Sequence, residues 1–184
     1  MKLWQILVLL WEPLRLAGHE RSELSDSDIQ LVQKIFYLFQ WSTNVDLGYR
    51  FALTHERARI SSPRLREDLV GFEFPAHPTP LSEDLLGNKE RQALERFALL
   101  WQELPADPVI SVRQFISMIA RYHFIRHIAA WNVERVDEDF RAHHVRLSES
   151  ALAKLMVQRE LFLGKLYQLA CEYQAGKGPV MSKK

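Results

Sequence analysis

A helix that is apolar on nearly all sides is predicted from Val112 to Trp131, with Ser111 as its N-cap. A helix of this kind is stable only when other elements surround it. We therefore predict a helical bundle with this helix at its middle. Its large apolar side chains recur at intervals of three and four residues: Phe115, Ile116, Met118, Ile119, Tyr122, Phe124, Ile125 and Ile128.

Several other segments have the pattern of helices that would cover it. The run Ser25-Asp26-Ser27-Asp28 offers N-cap oxygens to a helix that reaches about Trp41, on which Gln33 and Lys34 are expected to face outward. Further helices are predicted to start at Pro63 behind the caps Ser61 and Ser62, to run from about Asn88 to Leu104, and to follow Ser148 over seven turns.

One β-hairpin is also predicted. Tyr49 to Thr54 alternates apolar with other residues at period two, and a short strand returns at Ile60. The fold class predicted is therefore mainly α, or α+β with a minor β-hairpin. It would comprise a winged-helix-like N-terminal part followed by a helical bundle.

Residues 1–175 are predicted to form a single compact domain. The apolar run from Leu3 to Trp11 is interpreted as a buried first helix, because it lacks a signal-peptide cleavage pattern and is shorter than the ~20 residues that span a bilayer. The predicted parts are helices plus hairpin over 1–71, a proline-rich linker over 72–80, a helical part over 81–175 and a flexible tail over 176–184.

Composition excludes several classes of protein. With 184 residues, 47% hydrophobic and 26% charged, the chain is neither disordered nor fibrous. A formal net charge of +1 provides no global field that would attract nucleic acid or anionic lipid, and no membrane association is expected. The single cysteine, Cys171, cannot form an internal disulfide, is expected to be buried, and favours a cytoplasmic location.

Common enzyme motifs are missing from the sequence, which has no P-loop, G-x-G-x-x-G, G-x-S-x-G or H-E-x-x-H. We expect no catalytic residue and no cofactor. His123 and His127 lie four residues apart on one helix face and are weak candidates for a zinc site, with His143 or His144 as a third ligand. The alternative is that they are histidines at the edge of the core.

Four arginines, Arg57, Arg59, Arg64 and Arg66, flank the predicted hairpin. Basic residues on such a wing can contact a DNA backbone, but acidic residues interleave with them, which is also typical of a solvated loop. The mixed-charge stretch 134–141 is likewise interpreted as solvated. Arg159 interrupts the apolar stripe of the last helix, so it must snorkel, pair with a carboxylate or meet a partner.

The order of three segments resembles a known family. These are Val32-Gln33-Lys34-Ile35-Phe36-Tyr37-Leu38, Leu47-Gly48-Tyr49-Arg50-Phe51 and Ser62-Pro63-Arg64-Leu65-Arg66-Glu67-Asp68-Leu69. They are similar to segments of the YwgA-like proteins and, more distantly, of the SocA-like (Panacea) antitoxin domains, although the family's glycine-proline turn is replaced here by residues 55–61. The resemblance implies a helical, partly winged-helix-like bacterial or archaeal protein that binds toxins or other defence-associated proteins.

Three functions follow as hypotheses. The first is a non-catalytic protein–protein interaction module, antitoxin-like or a scaffold subunit, with a protein partner bound through Arg159 and the hairpin. The second is a winged-helix-like DNA-binding regulator that uses the hairpin arginines. The third is a metal-dependent hydrolase built on the histidines.

Overall fold

A computed structural model describes residues 6–7, 24–54, 59–72, 88–102, 104 and 109–175. This part of the chain is mainly helical with one small antiparallel hairpin, as the sequence predicted. Its elements are α1 (Asp26–Thr43), β1 (Ala52–Thr54), β2 (Arg59–Ser61), α2 (Pro63–Leu69), α3 (Asn88–Gln102), α4 (Val112–His127), α5 (Val133–His143) and α6 (Glu149–Ala175).

Helix α1 begins and ends at residues suited to those positions. The Ser25 side chain accepts from the backbone of Asp28, and the Asp28 side chain accepts from the backbone of Ser25, which completes a capping box. At the other end Asn44 has a left-handed φ of 54°. The predicted start is confirmed, and the helix continues two residues beyond Trp41.

The hairpin is shorter than predicted. Ala52 pairs with Ser61 and Leu53 with Ile60, so Tyr49 to Phe51 lie outside β1. Tyr49 instead turns inward, where its ring packs edge-on against Phe36 at 6.0 Å and its hydroxyl donates to Asp68 at 2.9 Å. Because Tyr49 turns inward, the alternating pattern in the sequence predicted a longer strand than the structure has. The hairpin tip, residues 55–58, lies outside the described residues.

Helix α4 is enclosed as predicted. It contacts α1, α5, α6 and β2, and nine of its residues are buried. It ends at His127 and not at Trp131, because Ala130 adopts a left-handed φ of 54° and the chain folds back there. The Trp131 N–H donates to the Ile125 carbonyl at 3.0 Å in this turn.

The buried apolar side chains form one contiguous cluster. Aromatic side chains from different helices pack against one another in this cluster. The ring centroids of Phe39 and Phe97 lie 5.3 Å apart, and those of Phe115 and Phe162 lie 5.6 Å apart. Ile6 and Leu7 are helical and buried, in agreement with the predicted first helix. The rest of that helix, the linker beyond Phe72 and the tail 176–184 lie outside the described residues.

Two side chains lie where the sequence did not predict them. Gln33, expected to face outward, is only 2% exposed, because β2 packs against α1 over that position. Its Oε1 accepts from Ser62 N at 2.8 Å and from Ser61 Oγ at 3.1 Å. The Gln33 amide therefore connects α1 to the start of α2. The second side chain is that of Cys171, which was expected to be buried and is exposed.

The substitution Gln33→Met should lower the free energy of unfolding by about 1–3 kcal/mol, because it leaves the buried Ser62 N–H without an acceptor while retaining side-chain volume. Urea denaturation followed by circular dichroism measures the change. Gln168→Met, on the exposed face of α6, is the matched control and should change stability by less than about 0.5 kcal/mol. Equal effects of the two substitutions would contradict the role of the Gln33 amide.

Candidate functional site

The hairpin arginines lie on a surface of mixed charge in the part that the structure describes. Arg64 and Arg66 are exposed on α2, and Arg66 pairs with Asp26 at 3.2 Å. Arg57 lies outside the described residues, and of Arg59 only the backbone, in β2, is described. Acidic Glu67 and Asp68 are exposed on the same short helix, so the described face matches the interleaved pattern of the sequence.

Arg159 is buried, with 3% of its side chain exposed. Its guanidinium donates to Asp137 at 3.2 Å and to Glu160 at 2.9 Å, and it lies 3.9 Å from the centroid of the Tyr122 ring. Of the three alternatives drawn from the sequence, the structure shows pairing with a carboxylate. Asp137 belongs to the stretch 134–141 that the sequence analysis interpreted as solvated, and its side chain is 30% exposed.

His123 and His127 stack on one another, with ring centroids 4.6 Å apart. The Nδ1 atom of His123 shares a hydrogen bond of 2.6 Å with the Tyr37 hydroxyl, and His127 Nε2 shares one with the Tyr167 hydroxyl. Trp41 packs over His123 at 3.9 Å between centroids. His123 Nε2 is buried and has no hydrogen-bond partner among the described residues. The pair is thus part of an aromatic cluster in which tyrosines are the hydrogen-bond partners.

Burial sets the protonation of this cluster. It lowers the pKa of His123 to about 3, and the adjacent His127 acts in the same direction. The pKa of His127 is also lowered, by burial and then by Arg126, while burial raises the pKa of Tyr37. Both histidines and the tyrosine are therefore neutral at pH 7.

The other candidate zinc ligands lie on α5 or at its C-terminal end and have different contacts. His143 Nδ1 lies 2.7 Å from the Asp139 carbonyl oxygen, and the His144 ring packs against Phe140 at 4.8 Å. Within the described ranges, no group of three or more His, Cys, Asp or Glu side chains is placed to hold a metal ion. Among the residues that the structure describes, none is therefore placed as a third ligand for the pair at 123 and 127.

A cleft of about 500 Å³ lies between α1, β2, α4 and α5. One side is polar, and the floor is apolar and formed mainly by α4 and α5. Its lining includes Lys34, Arg113, Ser117, Met118, Arg121 and Asp139.

Two ion pairs connect the helices around this cleft. Arg121 donates to both carboxylate oxygens of Asp139, at 2.9 and 2.7 Å, and joins α4 to α5. Arg113 pairs with the buried Asp28 and joins α4 to α1. Burial opposes ionisation of Asp28, but hydrogen bonds from Arg113 and Ser25 outweigh it and lower the pKa of Asp28 to about 2. Both carboxylates are shielded from solvent, since the Asp28 side chain is 7% exposed and the Asp139 side chain is 17% exposed.

Between the two ion pairs, Lys34 Nζ donates to Ser117 Oγ at 2.8 Å. Of the residues that line the cleft, the sequence analysis singled out only His143 and His144, as candidate metal ligands. The available signal was the set of polar residues Arg113, Ser117 and Arg121, which recur every four positions along the helix and therefore share a face.

Comparison with known proteins gives no family for this chain. No protein-family model, no curated protein and no solved structure matches it. The resemblance to YwgA-like and SocA-like proteins stays a prediction. None of the helices in the described ranges has both the length and the apolar character needed to cross a membrane.

We expect stability to fall as the pH is lowered from 7.5 to 5, because the unfolded chain protonates His123 near its ordinary pKa of 6.5 while the folded chain keeps it neutral. The slope approaches about 1.4 kcal/mol per pH unit for this group below pH 6.5. Urea titrations at several pH values measure it. His123→Gln should reduce the slope, and Gln168→Met, which removes no titratable group, should leave it intact. An unchanged slope in His123→Gln would contradict the assignment.

Arg159→Met should lower the free energy of unfolding by about 2–3 kcal/mol, because it leaves the partly buried Asp137 carboxylate without its cation. Arg96→Met is the matched control: Arg96 is exposed and pairs with Glu172 at the surface, so its loss should cost less than about 1 kcal/mol. Chemical denaturation compares the two variants. Similar losses in both would show that the Arg159 pair is not a structural contact of the core.

Proposed function

We propose that this chain is a non-catalytic protein–protein interaction module. The observation that carries the proposal is a set of exposed apolar side chains, here called the interaction face, on two helices that contact one another: Val157 and Leu161 on α6 and Leu99 on α3. Their exposed fractions are 59%, 64% and 53%. Large apolar side chains clustered on a folded surface are typical of protein contact sites.

The interaction face spans two helices. Val157 and Leu161 are one turn apart on α6 and so point the same way. Lys165 follows one turn later and lines, together with Leu99, a shallow groove of about 220 Å³ between α3 and α6. Exposed apolar side chains at one-turn spacing on the helix that borders this groove suit an amphipathic helix of a partner protein.

Three polar side chains support a non-catalytic role, because each bonds to a neighbouring side chain. His123 and His127 bond to tyrosines, and Arg159 bonds to carboxylates. These contacts join different helices and keep the side chains in fixed positions. The antitoxin-like or scaffold role in a bacterial or archaeal defence-associated system is supported by the sequence resemblance alone, and the cytoplasmic location by the single cysteine.

A winged-helix-like DNA-binding regulator is the second candidate function. Arg64 and Arg66 are exposed on α2, directly after the hairpin, which is the observation in its favour. Because Arg66 pairs with Asp26, this surface offers less net positive charge than its arginines alone would give.

We expect a stoichiometric protein partner to co-purify with the natively expressed chain and to survive nuclease treatment. Leu161→Asp should reduce its recovery at least tenfold, because a carboxylate at the interaction face would be desolvated on binding. Val145→Asp is the matched control. Val145 is 79% exposed, but it belongs to the loop that connects α5 to α6 and not to the interaction face. Mass spectrometry quantifies the recovered partner.

Two results would contradict the proposal. Equal recovery by both aspartate variants would exclude the interaction face as the contact site. Loss of all binding on nuclease treatment, together with weakened binding in Arg64→Ala and Arg66→Ala, would favour the DNA-binding regulator.

A further inference from the structure

The floor of the cleft between α1, β2, α4 and α5 is continuous with the apolar core. Tyr122 and Ile125 of α4 and Val136 and Phe140 of α5 line it, and each of them is at most 9% exposed and belongs to the core cluster. The cleft volume of about 500 Å³ lies within the range of about 300–1,000 Å³ that is typical of small-molecule sites. The floor therefore offers an apolar ligand a surface on which it can leave water.

The charged side chains around this floor are engaged by the protein itself. Arg121 donates to both carboxylate oxygens of Asp139, and Arg113 pairs with Asp28. Lys34 donates to a serine hydroxyl of α4. Each of these cations thus has at least one partner. A charged ligand would have to displace one of these contacts to gain a counter-charge, and it would also lose its own hydration. The lining therefore favours a neutral ligand.

The imidazole of His144 is the polar group of the lining that is open to a ligand. Its ring packs on Phe140 with centroids 4.8 Å apart, and within the described ranges no residue bonds to its nitrogens. Burial, and then the adjacent His143, lower the pKa of His144, so its ring is neutral at pH 7. A neutral imidazole has one donor and one acceptor nitrogen. A hydroxyl group, which can both donate and accept, can therefore bond to either nitrogen.

We propose that this cleft binds a small neutral phenol. The phenolic hydroxyl bonds to the His144 imidazole, and the aromatic ring of the ligand lies on Val136 and Ile125. A ring suits this lining better than an alkyl chain, because Tyr122, Phe140 and His144 are rings against which another ring packs edge-on or offset. The interaction face lies on α3 and α6, which do not line the cleft, so the two proposals stand or fall separately.

The probe is 4-ethylphenol, which is uncharged at pH 7 because a phenolic hydroxyl has a pKa of about 10. The chain has four methionines, of which Met118 lines the cleft and Met156 does not. In a protein labelled with ¹³C at its methionine methyl groups, 4-ethylphenol should shift the Met118 resonance with one-to-one saturation and leave that of Met156 in place. The anion 4-ethylbenzoate should bind at least about tenfold more weakly, because its charge gains no free counter-charge.

His144→Leu tests the hydrogen bond, because it removes the imidazole and retains an apolar side chain. It should weaken 4-ethylphenol binding about three- to tenfold, and it should leave the binding of ethylbenzene, which lacks the hydroxyl, within about twofold. His143→Leu is the matched control. The His143 imidazole already contacts the Asp139 carbonyl oxygen, so this variant should bind both probes like the unmodified protein.

Three results would overturn the proposal. They are an unmoved Met118 resonance, binding of 4-ethylbenzoate as tight as that of 4-ethylphenol, and equal effects of His144→Leu on 4-ethylphenol and ethylbenzene. If His144→Leu does not fold, the comparison of 4-ethylphenol with 4-ethylbenzoate on the unmodified protein decides the question by itself.

Discussion

The enclosure of α4 is the constraint from which the rest of the described fold follows. Nine of its residues are buried, and each large apolar side chain exposed to water would cost on the order of 1.5–3 kcal/mol. Helices α1, α5 and α6 and strand β2 all contact it. The short hairpin packs against one side of this helix, and Ile60 of β2 is buried in the core.

Polar groups inside this arrangement determine how its elements fit together. Gln33 holds the chain at Ser62, the Tyr37 hydroxyl meets His123, and Arg159 reaches Asp137 on the preceding helix. A buried ion pair contributes little net stability when it replaces apolar packing, but loss of one partner leaves a costly unpaired group. These contacts therefore disfavour alternative registers of the same apolar helices more than they stabilise the native one.

Local patterns predicted the secondary structure because the signals are contained in neighbouring residues. The caps Ser25, Ser62 and Ser111 mark three helix starts, and helical periodicity gave the mainly α fold class. Long-range packing determined what the sequence did not predict. Gln33 is buried because a strand 28 residues away in the chain packs over it, and Tyr49 leaves its strand to reach Asp68.

In the candidate sites, too, local patterns predicted some features, and long-range packing determined the others. The pairing of Arg159 with a carboxylate was one of the expected alternatives, but its partner Asp137 could be identified only once α5 and α6 were placed together. The cleft combines residue 34 with residues 113–125 and 136–144, so no local pattern contains it. Which side chains of α6 are exposed depends on the helices that pack against it, and the sequence did not predict that packing.

Helix α5 buries only Val136 and Phe140 within the described fold, and otherwise depends on the ion pairs of Asp137 and Asp139 with α6 and α4. An element held by so few apolar contacts opens locally at a lower free energy than the helices it covers. Because α5 is also one wall of the cleft, each such opening admits water to Arg121 and widens the space in front of Met118. Local opening of α5 therefore changes the size of the cleft, and amide exchange in this helix reports how often such openings occur.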